Sequence, residues 1–138
     1  MLQGKRAYIC SPLSAPTKEG VSHNMEMAKF YLLRMKTLYR CRTFASHAHL
    51  PLMLDDSIAE ERQAALTIGR ELMKLCDVLI ICGRHVSSGM EGEIKEAFKM
   101  GLTVYWYDSI MKPLELMRVT SWRDINHEMQ VQKQNISE

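Results

Sequence analysis

The middle of the chain holds an uninterrupted apolar run that leads into a small polar turn. The two parts are Asp77-Val78-Leu79-Ile80-Ile81-Cys82-Gly83 and Ser87-Ser88-Gly89-Met90-Glu91-Gly92-Glu93-Ile94. The run is typical of a central parallel strand that is covered on both faces. In open α/β proteins, ligands bind where such a strand leads into a helix, because unpaired backbone N–H groups face outward there. The segment therefore predicts an α/β fold with Glu93 at its ligand-binding end.

Segments with strand and helix patterns alternate on both sides of this run. The spacing of apolar residues predicts strands at residues 5–10, 41–45, 78–82 and 102–107, and helices at residues 24–39, 57–76 and 91–100. Alternation of this kind is typical of a parallel sheet with right-handed crossovers. We therefore predict an α/β fold with three layers, a flavodoxin-like or Rossmann-like doubly wound parallel sheet of four to five strands.

Residue types at the ends of the predicted helices indicate how each begins or stops. Asn24 is expected to cap the first helix, and Ser57, with Glu60 three residues later, has the capping-box pattern at the second. Gly101 is expected to stop the third helix, and segment 46–56 is predicted to be a loop. The predicted inward face of the second helix consists of Ile58, Ala65, Ile68, Leu72 and Leu75.

Composition limits the class of protein. The 138 residues predict a single domain, with a core at about residues 5–107 and a C-terminal extension, 108–138, for packing or oligomerisation. Residues 122–134 within the extension are predicted to form a polar surface helix. The net charge is only +2 and the basic residues are scattered along the sequence, so nothing suggests the broad positive face that nucleic-acid binding requires. No apolar run approaches the roughly 20 residues of a membrane span.

Cysteine usage bears on the compartment. Cys10, Cys41, Cys76 and Cys82 have no C-x-x-C spacing, and three of them lie in or beside apolar runs. Together with the lack of a signal peptide, this pattern favours a reducing cytoplasm.

The polar turn offers groups that suit a phosphate or a sugar hydroxyl. Ser87, Ser88 and Gly89 supply two hydroxyls and several backbone N–H groups at a helix start, although the same residues are also common caps. Glu93 is expected to be held ionised by the positive end of the helix dipole. A positioned carboxylate is what a retaining glycosyl transfer needs, because it can attack the anomeric carbon and form a covalent sugar ester.

Other readings of the individual positions stay open at this stage. Glu93 could instead complement the dipole or pair with a neighbouring cation, for which Lys95, Lys99 and Arg84 are the candidates. Tyr8 could direct its hydroxyl into the site or simply pack. Asp77 begins the central strand, so strand direction places it at the edge opposite the ligand.

Two loops carry further candidates. Ser11 and Ser14 follow the first strand, in the loop where ligands of this architecture bind. His47 and His49 would point the same way in an extended segment, and with Asp55 and Asp56 nearby they raise the hypothesis of a divalent-metal site. The Pro51 turn weakens that hypothesis, and we predict neither a metal nor another cofactor.

These residues together resemble the nucleoside 2-deoxyribosyltransferase superfamily, including its phage and bacterial branch of unknown role. The resemblance covers about residues 5–107 and is carried by Tyr8-Ile9-Cys10-Ser11-Pro12, Asn24, Ala28, His49, Leu54-Asp55-Asp56, Glu61-Arg62, Cys76-Asp77 and Ser87-x-Gly89-Met90-x-x-Glu93-Ile94. It implies that Glu93 is the nucleophile, that Tyr8 positions the Glu93 carboxylate, and that Asp77 has a catalytic role. The substrate-binding residues that it implies are Ser11, Pro12, Asn24, His49, Asp56, Arg62, Ser87, Ser88, Gly89 and Met90.

The chain departs from this pattern at one position. Members of the superfamily carry another Asp eight residues before the strand Asp, where it assists the departing base, and this chain has Gly69 there. We therefore keep two hypotheses. The first is an enzyme that cleaves or exchanges the N-glycosidic bond of a deoxynucleoside or its 5′-monophosphate through a Glu93 ester.

The second hypothesis is a nucleotide-derivative binding protein, such as a sensor or sponge of a signalling nucleotide, that has lost the chemistry. A third possibility, an interaction module, rests on Trp122, Met111, Met117 and Met129 in the C-terminal segment. The resemblance also implies a homo-oligomer, a dimer or larger.

Overall fold

The computed structural model describes residues 1–125, which form one central sheet with helices on both faces. The strands are β1 (Arg6–Cys10), β2 (Arg42–Phe44), β3 (Val78–Cys82), β4 (Thr103–Tyr107) and β5 (Met117–Val119). The helices are α1 (Lys18–Tyr39), α2 (Ser46–His49), α3 (Ala59–Lys74) and α4 (Ser88–Met100), and a 3₁₀ turn, Leu50–Leu52, follows α2. The predicted α/β fold is confirmed.

The sheet has the strand order β2-β1-β3-β4-β5. Strands β1 to β4 are parallel to one another, with Tyr8 beside Leu79 and Leu79 beside Val104. Strand β5 pairs with β4 in the antiparallel direction, so the sheet is mixed at one edge rather than wholly parallel. Strand β5 lies in the segment 108–138 that we predicted to be a C-terminal extension for packing or oligomerisation, and it packs there as an edge strand of the sheet.

Alternation along the strands divides the apolar residues between two cores. Ala7, Ile9 and Ile80 pack with α1 and α2 on one face, whereas the side chains next to them, such as Tyr8 and Leu79, pack with α3 and α4 on the other. Every residue of β3 is buried, as expected for a strand covered on both faces.

Helices α1 and α4 begin earlier than predicted. The Oγ1 atom of Thr17 accepts a hydrogen bond from the N–H of Gly20 at 3.0 Å and caps α1. Asn24, the predicted cap, lies inside α1, and its amide donates to the carbonyl oxygen of Leu13 at 2.9 Å. Ser87 caps α4 by accepting from the N–H of Met90 at 3.3 Å, so the polar turn itself begins the helix.

The start and the face of α3 also differ from the prediction. Ser57 does not cap the helix, because its hydroxyl donates to Oδ1 of Asp55 at 2.6 Å. The buried face centres on Gly69 and Met73, while the predicted inward residues Ile68 and Leu75 are 36% and 50% exposed. The prediction was wrong by about one residue of rotation, because Gly69, which has no side chain, is the residue that α3 turns toward the sheet.

Within residues 1–125, no helix combines the length and apolarity that crossing a membrane would require. Most of the predicted helix 122–134, including Met129, lies outside the described residues.

Candidate active site

A cavity of about 1030 Å³ opens beside the point where the strand order reverses, between β1 and β3. It is enclosed by the loop after β1, by α2, by the 3₁₀ turn and the loop after it, by most of the length of α3, and by the first turns of α4. Ligand sites of doubly wound sheets lie at this position, and the volume is at the upper end of the range for small-molecule pockets.

Glu93 lines this cavity from the second turn of α4. Burial raises the pKa of its carboxyl group above the ordinary value, and a charge on His47 and a hydrogen bond from Tyr8 lower it only in part. The helix dipole, which we expected to keep Glu93 ionised, acts mainly within the first turn, whereas Glu93 lies in the second. Two of the three predicted cation partners pair elsewhere: Lys95 with Glu91 at 2.9 Å and Arg84 with Asp108 at 3.5 Å.

Tyr8 brings its hydroxyl from β1 to the same point. Its ring is only 1% exposed, and its Oη atom lies 2.8 Å from Oγ of Ser46. Burial, followed by the charge of Glu93, raises the pKa of Tyr8 far above its ordinary value, so the phenol stays neutral. A neutral phenol can donate a hydrogen bond to a carboxylate, and the positioning role of Tyr8 toward Glu93 stays a prediction.

His47, rather than His49, lines the cavity. The Nδ1 atom of His47 lies 2.8 Å from the carbonyl oxygen of Ser11, which can only accept, so Nδ1 carries the hydrogen. His49 is exposed and lies outside the cavity lining. The extended segment that we assumed is the helix α2, where side chains two residues apart diverge by about 200°.

The metal hypothesis assumed that His47 and His49 point the same way, which they do not do in the helix α2. Within residues 1–125, no three His, Cys, Asp or Glu side chains come together in a way that could hold a metal ion.

Gly69 provides the space in which the hydroxyls of Tyr8 and Ser46 meet. A Cβ atom at this position would lie 3.2 Å from Oη of Tyr8 and 3.9 Å from Oγ of Ser46. Ser46 was not among the predicted site residues, because its approach to Tyr8 depends on contact between segments 38 residues apart.

The remaining predicted binding residues divide into those that line the cavity and those that support it. Six line the cavity: Asp56, Arg62, Ser87, Ser88, Gly89 and Met90. Ser11, Pro12 and Asn24 do not. Instead, Asn24 holds the loop after β1 through Leu13, and Ser11 holds the ring of His47.

Asp77 lies at the amino-terminal ends of the parallel strands, whereas Glu93 lies beyond their carboxyl ends. Its Oδ2 atom accepts from the backbone N–H of Arg6 at 2.9 Å and lies 3.8 Å from Nε of the same arginine. Because Asp77 joins the starts of β1 and β3 and is absent from the cavity lining, its geometry favours the structural role that strand direction indicates.

The charged groups around the cavity are mostly acidic. Among the described residues that line it, five carry carboxyl groups, whereas two carry guanidinium groups. The acidic residues are Asp55, Asp56, Glu61, Glu93 and Glu96, and the basic ones are Arg62 and Arg70.

A family model described as "Domain of unknown function (DUF7768)" matches residues 5–107. The chain belongs to this family. The DUF7768 region contains β1 to β4 and most of the cavity wall, including Tyr8, His47 and Glu93. No curated protein matches the chain.

Solved structures share the fold of this DUF7768 member. A 2-deoxyribosyltransferase from the psychrotolerant bacterium Bacillus psychrosaccharolyticus matches with a TM-score of 0.59 and 14% identity, over 87% of this chain and 89% of that chain. A 2-deoxyribosyltransferase from Leishmania mexicana matches with a TM-score of 0.53 and 12% identity, over 76% of this chain and 65% of that chain. At these identities the likeness shows the fold alone, and membership of the 2-deoxyribosyltransferase superfamily and of its phage and bacterial branch stays a prediction.

Proposed function

We propose that this protein cleaves or transfers at the N-glycosidic bond of a deoxynucleoside or a deoxynucleoside 5′-monophosphate, with Glu93 as the nucleophile. The observation that carries the proposal is the carboxyl group of Glu93 in a cavity beside the neutral hydroxyl of Tyr8. The fold shared with two 2-deoxyribosyltransferases supports the same substrate class.

The proposed reaction has two displacements at the anomeric carbon. A Glu93 oxygen attacks that carbon while the base leaves, and the product is a deoxyribosyl ester of Glu93. Water or an acceptor base then attacks the same carbon and releases the carboxylate. Tyr8 donates to the carboxylate and holds it in position, and the reaction as written needs no cofactor.

The start of α4 is the proposed contact for the remainder of the sugar. Ser87, Ser88 and Gly89 line the cavity where the helix begins, one and a half turns before Glu93. Backbone N–H groups at a helix start suit a sugar hydroxyl or a 5′-phosphate oxygen.

The second candidate function is the binding of a nucleotide derivative without turnover. Gly69 is the observation that favours it, because α3 offers no side chain at the position where the superfamily's Asp assists the departing base. Stabilisation of the fold by such ligands, without release of base, would support this function.

Chromatographic detection of free base from a panel of deoxynucleosides and deoxynucleoside 5′-monophosphates tests the first function. We expect base release by the wild type and a loss of about a thousandfold or more in Glu93→Gln, since the variant lacks the nucleophile. Glu91→Gln is the matched control, because Glu91 lies on the same helix outside the cavity lining, paired with Lys95. Release of no base from any substrate, or equal release by Glu93→Gln, would refute the proposal.

The expected homo-oligomer and the cytoplasmic location stay predictions. Light scattering on the full chain would measure the oligomeric mass.

A further inference from the structure

The proposed reaction requires a group that gives a proton to the departing base, and α3 does not supply one at residue 69. A side chain there would meet the hydroxyl of Tyr8, since a Cβ atom already lies 3.2 Å from it. A base that leaves as an anion is a poor leaving group, so a positioned acid contributes roughly 10² to 10⁴ in rate.

We propose that His47 is this acid, and that it acts as the general base in the second displacement. The inference rests on the proposed function of Glu93 and adds a catalytic residue to it. His47 lines the same cavity as Glu93 and lies close enough for its charge to act on the Glu93 carboxyl group.

The surroundings of His47 hold its ring in a form that suits this role. Nδ1 donates to the carbonyl oxygen of Ser11 at 2.8 Å, and this carbonyl belongs to a residue that is only 1% exposed. The bond fixes the ring orientation and leaves Nε2 as the nitrogen that can exchange a proton with a ligand. The helix that carries His47 is anchored by Ala48, which is fully buried against the core.

The two aspartates in the cavity lining and Tyr8 fit the role less well. Asp55 and Asp56 are exposed, and hydrogen bonds from Ser57 lower the pKa of Asp55, so Asp55 holds no proton to give near neutral pH. An imidazole can both donate and accept a proton in that range. Tyr8 is held neutral, and its hydroxyl is already hydrogen-bonded to Ser46.

Each displacement balances in protons and electron pairs. In the first, a Glu93 oxygen forms a bond to the anomeric carbon, the C–N bond breaks, its electron pair stays on the base, and the proton moves from Nε2 of His47 to a base nitrogen. Ester formation removes the negative charge of Glu93, and with it the attraction that holds a proton on the imidazole. In the second, water or an acceptor base gives a proton to His47, bonds to the carbon and frees the Glu93 carboxylate.

Leaving-group dependence tests the inference. The substrates are 2′-deoxyadenosine, whose base needs a proton, and 4-nitrophenyl 2-deoxyribofuranoside, whose nitrophenolate leaves without one. We expect His47→Asn to lower kcat/KM for 2′-deoxyadenosine by about 10²-fold and for the nitrophenyl glycoside by less than about threefold. His47→Gln, which can also donate an amide hydrogen to Ser11, is assayed beside it, and thermal melting of both variants checks that they fold.

The control is His85→Asn, because His85 is an exposed imidazole in the loop before α4 and does not line the cavity. We expect this variant to act like the wild type on both substrates. Equal losses on both substrates in the His47 variants, or no loss on either, would overturn the role of His47 while leaving Glu93 in place. Inactivity of the wild type on both substrates would overturn the proposed function itself, and the role of His47 with it.

Discussion

At the scale of single residues, Glu93 shows a conflict between stability and function. Partial removal from water raises the pKa of the Glu93 carboxyl group, and Tyr8 and His47 restore only part of the lost hydration. Glu93 must be ionised to act as a nucleophile. The form that its proposed chemistry needs therefore lowers the free energy of unfolding.

Glu93→Gln should therefore stabilise the fold near neutral pH. In the unfolded chain Glu93 ionises at its ordinary pKa, whereas in the folded chain its pKa is higher, so the wild type loses stability as pH rises through the folded value. Below about pH 4, where both states are protonated, the difference between variant and wild type should disappear. Denaturant unfolding at several pH values measures this.

Glu91→Gln serves as the control for that series, because Glu91 forms an exposed pair with Lys95. Its free energy of unfolding should stay within about 0.5 kcal/mol of the wild type at each pH. A Glu93→Gln variant that is less stable than the wild type at neutral pH would show that the carboxylate is net favourable where it lies.

At the scale of secondary-structure elements, the distance of α3 from the sheet depends on Gly69. Glycine in a helix interior is unfavourable by about 1 kcal/mol relative to alanine, and the close approach to Tyr8 is a reason to keep it there. Tyr8 cannot easily give way, because its ring is buried and its hydroxyl is bonded to Ser46.

Two glycine substitutions separate helix propensity from this contact. Gly92→Ala should stabilise the protein by about 1 kcal/mol, because a Cβ atom there meets nothing within 4 Å. Gly69→Ala should gain less than that or lose stability, since its Cβ presses on Tyr8 at 3.2 Å. Equal gains in denaturant unfolding would show that the Tyr8 hydroxyl moves aside at no cost.

At the scale of the whole molecule, the electrostatic balance of the cavity differs from that of the chain. The chain carries a formal charge of +2, whereas carboxyl groups outnumber guanidinium groups in the described lining of the cavity. Because like charges repel strongly where water is partly excluded, this lining should disfavour a doubly charged phosphate more than a neutral sugar.

Between the two substrate classes of the proposal, we therefore expect neutral deoxynucleosides to bind better than their 5′-monophosphates. Thermal shift with 2′-deoxyadenosine and its 5′-monophosphate at equal concentrations measures this, since a ligand at 100 times its Kd stabilises by about 2.7 kcal/mol. The preference should weaken as salt screens the carboxylates. Stronger stabilisation by the monophosphate would mean that the start of α4 outweighs the acidic lining.

Much of the fold could be predicted because it depends on local pattern. The apolar run of β3, the alternation of strands and helices, and Gly101 at the end of α4 are all visible in short windows of sequence. Strand β5 lacked such a pattern, because its three residues form a strand only by pairing with β4. The first turns of α1 were missed because the apolar stripe begins later than the Thr17 cap.

Some residues of the candidate site could likewise be predicted from short windows of sequence, and others could not. Residues 87–94 pointed to Glu93 and to a turn between strand and helix, and the resemblance pointed to Tyr8, because these features lie in contiguous motifs. His47 was considered only as half of a metal pair, and its place in the cavity depends on the fold of α2 and on the carbonyl of Ser11, 36 residues away.

The amino-acid sequence by itself determined the class of fold and the order of its main elements, and it pointed to the carboxylate near the start of α4, because apolar periodicity and short motifs act over a few residues. Tertiary contacts decided the rotation of α3, the pairing of β5 and the raised pKa of Glu93. They also decided that His47 lines the cavity in place of the predicted His49. Burial and distance between segments far apart in the chain exist only once those segments pack together.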